Sequence, residues 1–271
     1  MKQRIITAIC GVPLLIAFIW FEPCGFPLLI ILVAAATALG IVEFYRLARL
    51  CDGQPLAPFG LVLALAFTAS AHLQNDYFTL ALLVSALILP MLWLLIVPPR
   101  ERVFIRWAWT LSGILYVGWM LSHYVALREL DQGMQWVFLA ILCTFACDTG
   151  AYFGGRAWGK HFMAPSISPA KTWEGAASGF AGAAIAAVIF VAILSAINQE
   201  LPITYSQALL LGALIAVFGQ IGDLYESKLK RKAGAKDSGN MLPGHGGVLD
   251  RLDSLLPTGV VVYYYAFYWA G

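Results

Sequence analysis

The chain has 271 residues, of which 61% are hydrophobic and only 12% charged, with a formal net charge of +2 and a mean hydropathy of +0.79. The average residue prefers hydrocarbon to water, which excludes a soluble globular domain and leaves an integral membrane protein. No extramembrane stretch is long enough to fold alone, and neither an internal repeat nor a low-complexity segment breaks the pattern.

Crossing a bilayer takes roughly 17 to 25 largely apolar helical residues, because lipid offers the backbone no hydrogen-bond partners. In chain order the candidate spans are 5–21, 26–45, 58–73, 77–97, 107–126, 136–154, 175–197, 205–224 and 255–270. The first follows Met1-Lys2-Gln3-Arg4 and has the look of a signal peptide. No small-residue cleavage site follows it, and Glu22-Pro23-Cys24 leads into another apolar run, so a retained anchor is expected. The third and ninth are the shortest.

Nine crossings from a cytoplasmic N-terminus put all 17 Lys and Arg except Arg128 on the inside, as the positive-inside rule requires. The same parity places the polar connections after the sixth and eighth spans in the cytoplasm, and Glu22, Asp76, Glu129, Asp131 and Glu200 outside. The expected fold is all-α: a polytopic membrane protein with about nine transmembrane helices and a polar cavity facing the cytoplasm. Residues 1–135 would supply five spans. Residues 136–271 would supply four, with the cytoplasmic loops 155–174 and 225–254.

Cysteine chemistry adds little. Cys10, Cys143 and Cys147 lie in apolar spans, Cys51 in a cytoplasmic loop and Cys24 alone outside, so no intrachain disulfide is expected. Cys143 and Cys147, four residues apart beside Asp148, read as packing rather than as a metal pair, because thiolates need further ligands.

The carboxylates within spans are more telling. Asp148, in Ala146-Cys147-Asp148-Thr149-Gly150-Ala151-Tyr152, and Asp223, in Gly219-Gln220-Ile221-Gly222-Asp223-Leu224-Tyr225, sit near cytoplasmic helix ends among small residues. Burying a carboxylate in lipid costs at least about 2.5 kcal/mol, so such groups face a polar cavity or interfacial water. Next comes Ser168-Pro169-Ala170-Lys171-Thr172-Trp173-Glu174-Gly175, in which Ser168 and Pro169 read as a helix start and Glu174 suits the first turn. Capping leaves Lys171 and Thr172 unexplained, and a cation and a hydroxyl at a helix N-terminus suit phosphate. Gly154-Gly155-Arg156-Ala157-Trp158-Gly159-Lys160-His161 imitates a phosphate loop. His161 stands where a Ser or Thr is needed and the preceding segment is a membrane helix, so that motif is rejected.

The densest polar stretch is 227–253. Lys228, Lys230, Arg231 and Lys232 at its start continue the end of the eighth helix and fit a positive-inside anchor held by anionic lipid. From Lys236 onward that explanation fails, since an anchor has no use for Asp237, Asp250 and Asp253 or for Pro243-Gly244-His245-Gly246-Gly247. Glycines such as Gly246 and Gly247 let backbone amides approach phosphate oxygens. Asp250 and Asp253, with Asp223, can offer oxygen ligands to Mg²⁺, which takes one or two carboxylates plus substrate phosphates.

Ser227 through Asp253 resembles the signature of the phosphatidate cytidylyltransferase (CDP-diacylglycerol synthase) family at every fixed position. Asp148-Thr149-Gly150-Ala151-Tyr152 with Gly155-Arg156, and Ser168-Pro169 with Lys171-Thr172 and Glu174-Gly175, resemble its other segments in order. Ala170 departs from the lysine often found there. These motifs cover roughly the C-terminal half; the N-terminal spans match only in being apolar. The resemblance implies that CTP and phosphatidate react to CDP-diacylglycerol and pyrophosphate with Mg²⁺, at the cytoplasmic face of the cell's inner membrane, in a homodimer. Whether a monovalent cation such as K⁺ joins is written in no motif. No nucleic-acid partner is expected.

Under that resemblance Asp223 and Asp250 are the expected metal ligands, with Asp253 and Asp148 next. Lys171, Lys236 and Arg251 would hold triphosphate or lipid phosphate, and His245 would donate to a phosphate oxygen. Asp237 joins the catalytic set, and Ser168, Thr172, Glu174, Ser227, Gly246 and Gly247 the substrate-binding set. Two rival functions share these features. A membrane lipid kinase would release CDP instead of pyrophosphate, and a transporter would show broken-helix repeats in both halves, whereas charge here concentrates in one.

Overall fold

Apolar runs in lipid must satisfy their own backbone, so they fold as helices. The computed structural model describes residues 11, 13–23, 27–97, 101–241 and 246–269, and it is helical nearly throughout. Residues 13–20 are helical, while residues 5–10 and 12 of the first expected span lie outside the described residues, as does His245.

The helices are α1 (Leu29–Leu50), α2 (Ala57–Leu73), α3 (Asp76–Ile96), α4 (Val103–Arg128), α5 (Gly133–Trp158), α6 (Trp173–Ala196), α7 (Tyr205–Lys232), the single turn α8 (Leu249–Leu252) and α9 (Leu255–Trp269). Among the described residues, the six helices α1, α3, α4, α5, α6 and α7 are long and apolar enough to cross a membrane. The chain is a multi-pass, predominantly helical membrane protein. α2 has 17 residues and α9 has 15.

One feature departs from the sequence expectation. Residues 168–172 do not start a helix; they form β2 (Ser168–Thr172), paired antiparallel with β1 (Phe162–Ala164) in a two-stranded hairpin. As expected, the cations after the eighth span continue its helix: α7 runs on to Lys232. Lys and Arg are good helix formers and suit the negative end of the helix dipole, so the helix outlasts its apolar part.

The chain divides into two compact units: residues 1–129 with 229–252, and residues 130–228 with 253–271. In the first unit Tyr45 of α1 is buried against α2 and α4, where Gly60 and Gly113 leave room for its ring. Its hydroxyl donates to the Thr110 carbonyl over 2.8 Å. Leu63, Phe67, Leu82, Ala86 and Ile114 form a core joining α2, α3 and α4. α4 carries a π-helical segment, Ile114–Trp119, at the turn that packs on this core. At the end of α4, Arg128 pairs with Glu22 at 2.6 Å, and Glu129 with His72 at 2.7 Å. Arg128 and Glu22 are the groups the charge bias assigns to the outside.

In the second unit α5 and α6 pack along their lengths through small residues, the usual route to close approach without a hydrophobic driving force. A Cβ on Gly179 would lie 2.7 Å from the Cys147 carbonyl oxygen. Cys143 and Cys147 are buried in this packing. Thr144 of α5 and Thr258 of α9 bring their hydroxyls to 3.2 Å, and the Gln220 amide of α7 donates to the Ala176 carbonyl of α6 at 3.1 Å.

Candidate active site

In the second unit the hairpin is set by its junction with α6. Thr172 is extended, with φ −122° and ψ 155°, and its hydroxyl oxygen accepts from the Gly175 N–H at 3.1 Å. Thr172 is therefore the N-cap, not Ser168, because only the residue before the first helical one can reach the orphan amides of the first turn. Glu174 in that turn accepts from the Lys160 and His161 N–H groups at 3.1 and 3.2 Å and meets His161 Nδ1 at 2.5 Å, which ties down the start of the hairpin. Gly154 and Gly155, the glycines of the rejected phosphate-loop lookalike, are helical within α5.

Strand β2 delivers Lys171 to α7. Its Nζ lies 2.6 Å from Asp223 Oδ2, with the two side chains 23% and 31% exposed. Ser227, one turn further along α7, donates to Asp223 Oδ1 at 3.3 Å. Three expected site residues from three sequence segments thus meet in one place. Asp253 comes close through its backbone: a Cβ on Gly222 would lie 2.3 Å from the Asp253 carbonyl oxygen. Asp148 is exposed on α5, and Ser168 is half-buried in β2 opposite Ala164.

The first unit holds the polar stretch that follows. Lys230, in the last turn of α7, pairs with Asp250 Oδ1 at 2.6 Å, the side chains being 12% and 7% exposed. The anchor role assigned to Lys230 by position does not hold, since its ammonium is turned to a carboxylate and away from headgroups. Asp250 Oδ2 accepts from the Ser238 N–H at 2.9 Å and the Gly247 N–H at 2.8 Å, and the Ser238 hydroxyl, 3.0 Å away, shares its one proton between Asp250 and Glu43. Burial alone would push the Asp250 carboxyl up. Lys230 and the Gly247 and Ser238 amides outweigh it and hold the group below the usual carboxylate range. Lys232 lies over the Trp109 ring, 5.8 Å from its centroid. Lys236, Asp237 and Arg251 are exposed. Gly246 has φ +82°, a conformation glycine adopts at no steric cost.

One residue here was missed. Glu43 of α1, only 5% exposed, accepts from the Val248 N–H at 3.1 Å, the Leu249 N–H at 2.8 Å and the Ser238 hydroxyl at 2.9 Å. A carboxylate inside an apolar run was the signal that could have found it.

The donor chemistry can be tested against Mg²⁺. Among the described residues no three His, Cys, Asp or Glu side chains gather as a ready cage. Asp223 is partly exposed, and in place of its Lys171 contact its carboxylate suits an ion that takes one or two carboxylates and fills its shell with water and substrate phosphates.

The structure is that of a multi-pass membrane protein with cations and carboxylates paired at the ends of its apolar helices. The model of the cytidylyltransferase family matches residues 2–269. The chain belongs to this family, whose members are CTP-dependent nucleotidyltransferases. It is 35% identical over 260 residues to the phosphatidate cytidylyltransferase of Bacillus subtilis, covering 94% of each chain. It is 33% identical over 280 residues to that of Pseudomonas aeruginosa, covering 100% of this chain and 97% of the relative. It is also 33% identical to that of Synechocystis, covering 97% and 95%.

Proposed function

We propose that the protein transfers the cytidylyl group of CTP to phosphatidate, giving CDP-diacylglycerol and pyrophosphate for phospholipid synthesis. Near full-length similarity to relatives that carry this activity in their names supports it. At the level of residues, the observation that carries it is the Lys171–Asp223 contact, which unites a cation suited to phosphate with a carboxylate suited to Mg²⁺.

An ionised oxygen of the lipid phosphate attacks the α-phosphorus of CTP. The bond from that phosphorus to the oxygen bridging to the β-phosphate breaks, and pyrophosphate leaves with the electron pair. The nucleophile has no proton to lose, so no general base is needed; alignment and charge neutralisation carry the rate. Lys171, Lys236 and Arg251 hold the phosphates, and His245 donates to a phosphate oxygen. Asp223 would hold Mg²⁺, with Asp253 and Asp148 of the same unit as further candidates, while Asp250 is already engaged by Lys230. When bound, the ion draws charge from the α-phosphate and the leaving group.

Segment 5–21, α2 and α9 complete nine crossings in the cytoplasmic membrane of a homodimer, with the hairpin and residues 233–253 in the cytoplasm, where CTP is found. The test is purified protein incubated with α-³²P-labelled CTP, phosphatidate and Mg²⁺. Label in a lipid-soluble liponucleotide is expected; label released as CDP would sink the proposal in favour of γ-phosphoryl transfer.

A further inference from the structure

Glu43 sits on the apolar helix α1, yet the contacts that satisfy its carboxylate come from the polar stretch about two hundred positions later. The Val248 and Leu249 amides and the Ser238 hydroxyl donate to it. Ser238, 1% exposed, stands between two carboxylates, with its Oγ 2.9 Å from Glu43 Oε2 and 3.0 Å from Asp250 Oδ2. The backbone is shaped to this carboxylate: a Cβ on Gly239 would lie 2.2 Å from Glu43 Oε1, and one on Gly247 would lie 2.5 Å from Oε2. α8 packs on the same helix one turn earlier, where a Cβ on Gly40 would lie 3.5 Å from Leu252 Cδ1, and Leu249 is fully buried.

Both ends of the stretch therefore fasten to one side chain. Lys236 lies two positions before Ser238, and Arg251 directly follows Asp250. A carboxylate that fixes Ser238, Val248 and Leu249 also fixes where these exposed cations start from.

We propose that Glu43 is a positioning residue for cytidylyl transfer, holding the stretch that carries Lys236 and Arg251 in place for the triphosphate. It rests on the function proposed above, and it gives the N-terminal helices a part in catalysis: they present the post on which the polar stretch is hung.

Glu43→Gln keeps the shape and turns one acceptor into a donor facing an N–H or O–H. Losing a hydrogen bond to a charged group is worth about tenfold to a hundredfold. Amide exchange at Val248 and Leu249 should therefore quicken by at least about tenfold, while the amides of α3 keep their rates. kcat/KM for CTP should fall by a similar factor. In a Lys236→Ala, Arg251→Ala background the same change should cost less than about threefold, because the groups through which Glu43 acts are gone. A destabilised fold would give additive losses instead. If Glu43→Gln does not fold, Gly239→Ala disturbs the same contact without altering charge and should give the same exchange signature.

Unchanged exchange at Val248 and Leu249, or full additivity, overturns the proposal. A wild type that makes no liponucleotide overturns the functional reading and this catalytic role together. A wild type that does, with additive losses on Glu43→Gln, overturns this role alone.

Discussion

Replacing Lys230 with methionine keeps most of the side-chain volume and removes the ammonium 2.6 Å from Asp250 Oδ1. With side chains only 12% and 7% exposed, solvent screens this pair weakly. Removing one partner of a buried pair costs about 3–5 kcal/mol when the other charge is stranded. Asp250 is not stranded: the Ser238 and Gly247 N–H groups still donate to Oδ2, and the Ser238 hydroxyl, which it shares with Glu43, lies within reach. The loss then approaches that of a single charged hydrogen bond, about 2 kcal/mol, or roughly thirtyfold in the equilibrium for opening the polar stretch. Hydrogen exchange reads it directly, since the Ser238 and Gly247 amides are protected by Asp250. Both should exchange roughly thirtyfold faster in Lys230→Met, with the amides of α1 unaffected. Lys230→Arg retains the charge and should lose less. A headgroup anchor predicts no change at these two amides, so rates within about threefold of wild type would refute the buried-pair assignment.

Asp223→Asn should lower turnover at limiting Mg²⁺ by more than about tenfold, the size already produced by losing an outer-shell partner of a metal. A folded variant with wild-type turnover under those conditions would remove Asp223 from the metal site. Gly222→Ala places a methyl 2.3 Å from the Asp253 carbonyl oxygen and 2.8 Å from Pro257 Cγ. Such overpacking should lower the thermal midpoint in detergent by about 4–8 °C, and an unchanged midpoint would show that α7 and α9 are not in contact there. The pH dependence of the polar stretch follows from Asp250, which faces Lys230 directly and Glu43 through Ser238. Its carboxyl is held below the ordinary value of 3.8, so its contribution is complete above that value and fades as pH falls through the depressed one. In metal-free buffer, protection of the Gly247 amide, corrected for intrinsic exchange, should hold down to about pH 4 and collapse below it. Loss of protection already at pH 6 would contradict the depression.

The helices were legible because lipid leaves the backbone one economical solution, and apolar runs mark it: 58–73 became Ala57–Leu73 and 77–97 became Asp76–Ile96. Hydropathy marks where the apolar part of α7 ends, and the helix-forming cations after it carry the helix on to Lys232, as expected. The hairpin was invisible. Strands of three and five residues carry too little periodicity, and Ser168-Pro169 is as good a helix start as it is a strand. At the site, Lys171 and Asp223 could be chosen by charge and location, since a cation and a carboxylate beside apolar helices have few other uses. Lys230 was misjudged by the same reasoning: at a helix end one of four clustered cations looks like an anchor, and only the fold shows that Asp250 faces it. Glu43 was open to the criterion that singled out Asp148 and Asp223, a carboxylate inside an expected span, here 26–45. Two of its three donors are main-chain amides some two hundred residues away, and an amide has no sequence signature. What sequence hides in this protein is not which groups are chemical but which of them are already engaged with one another.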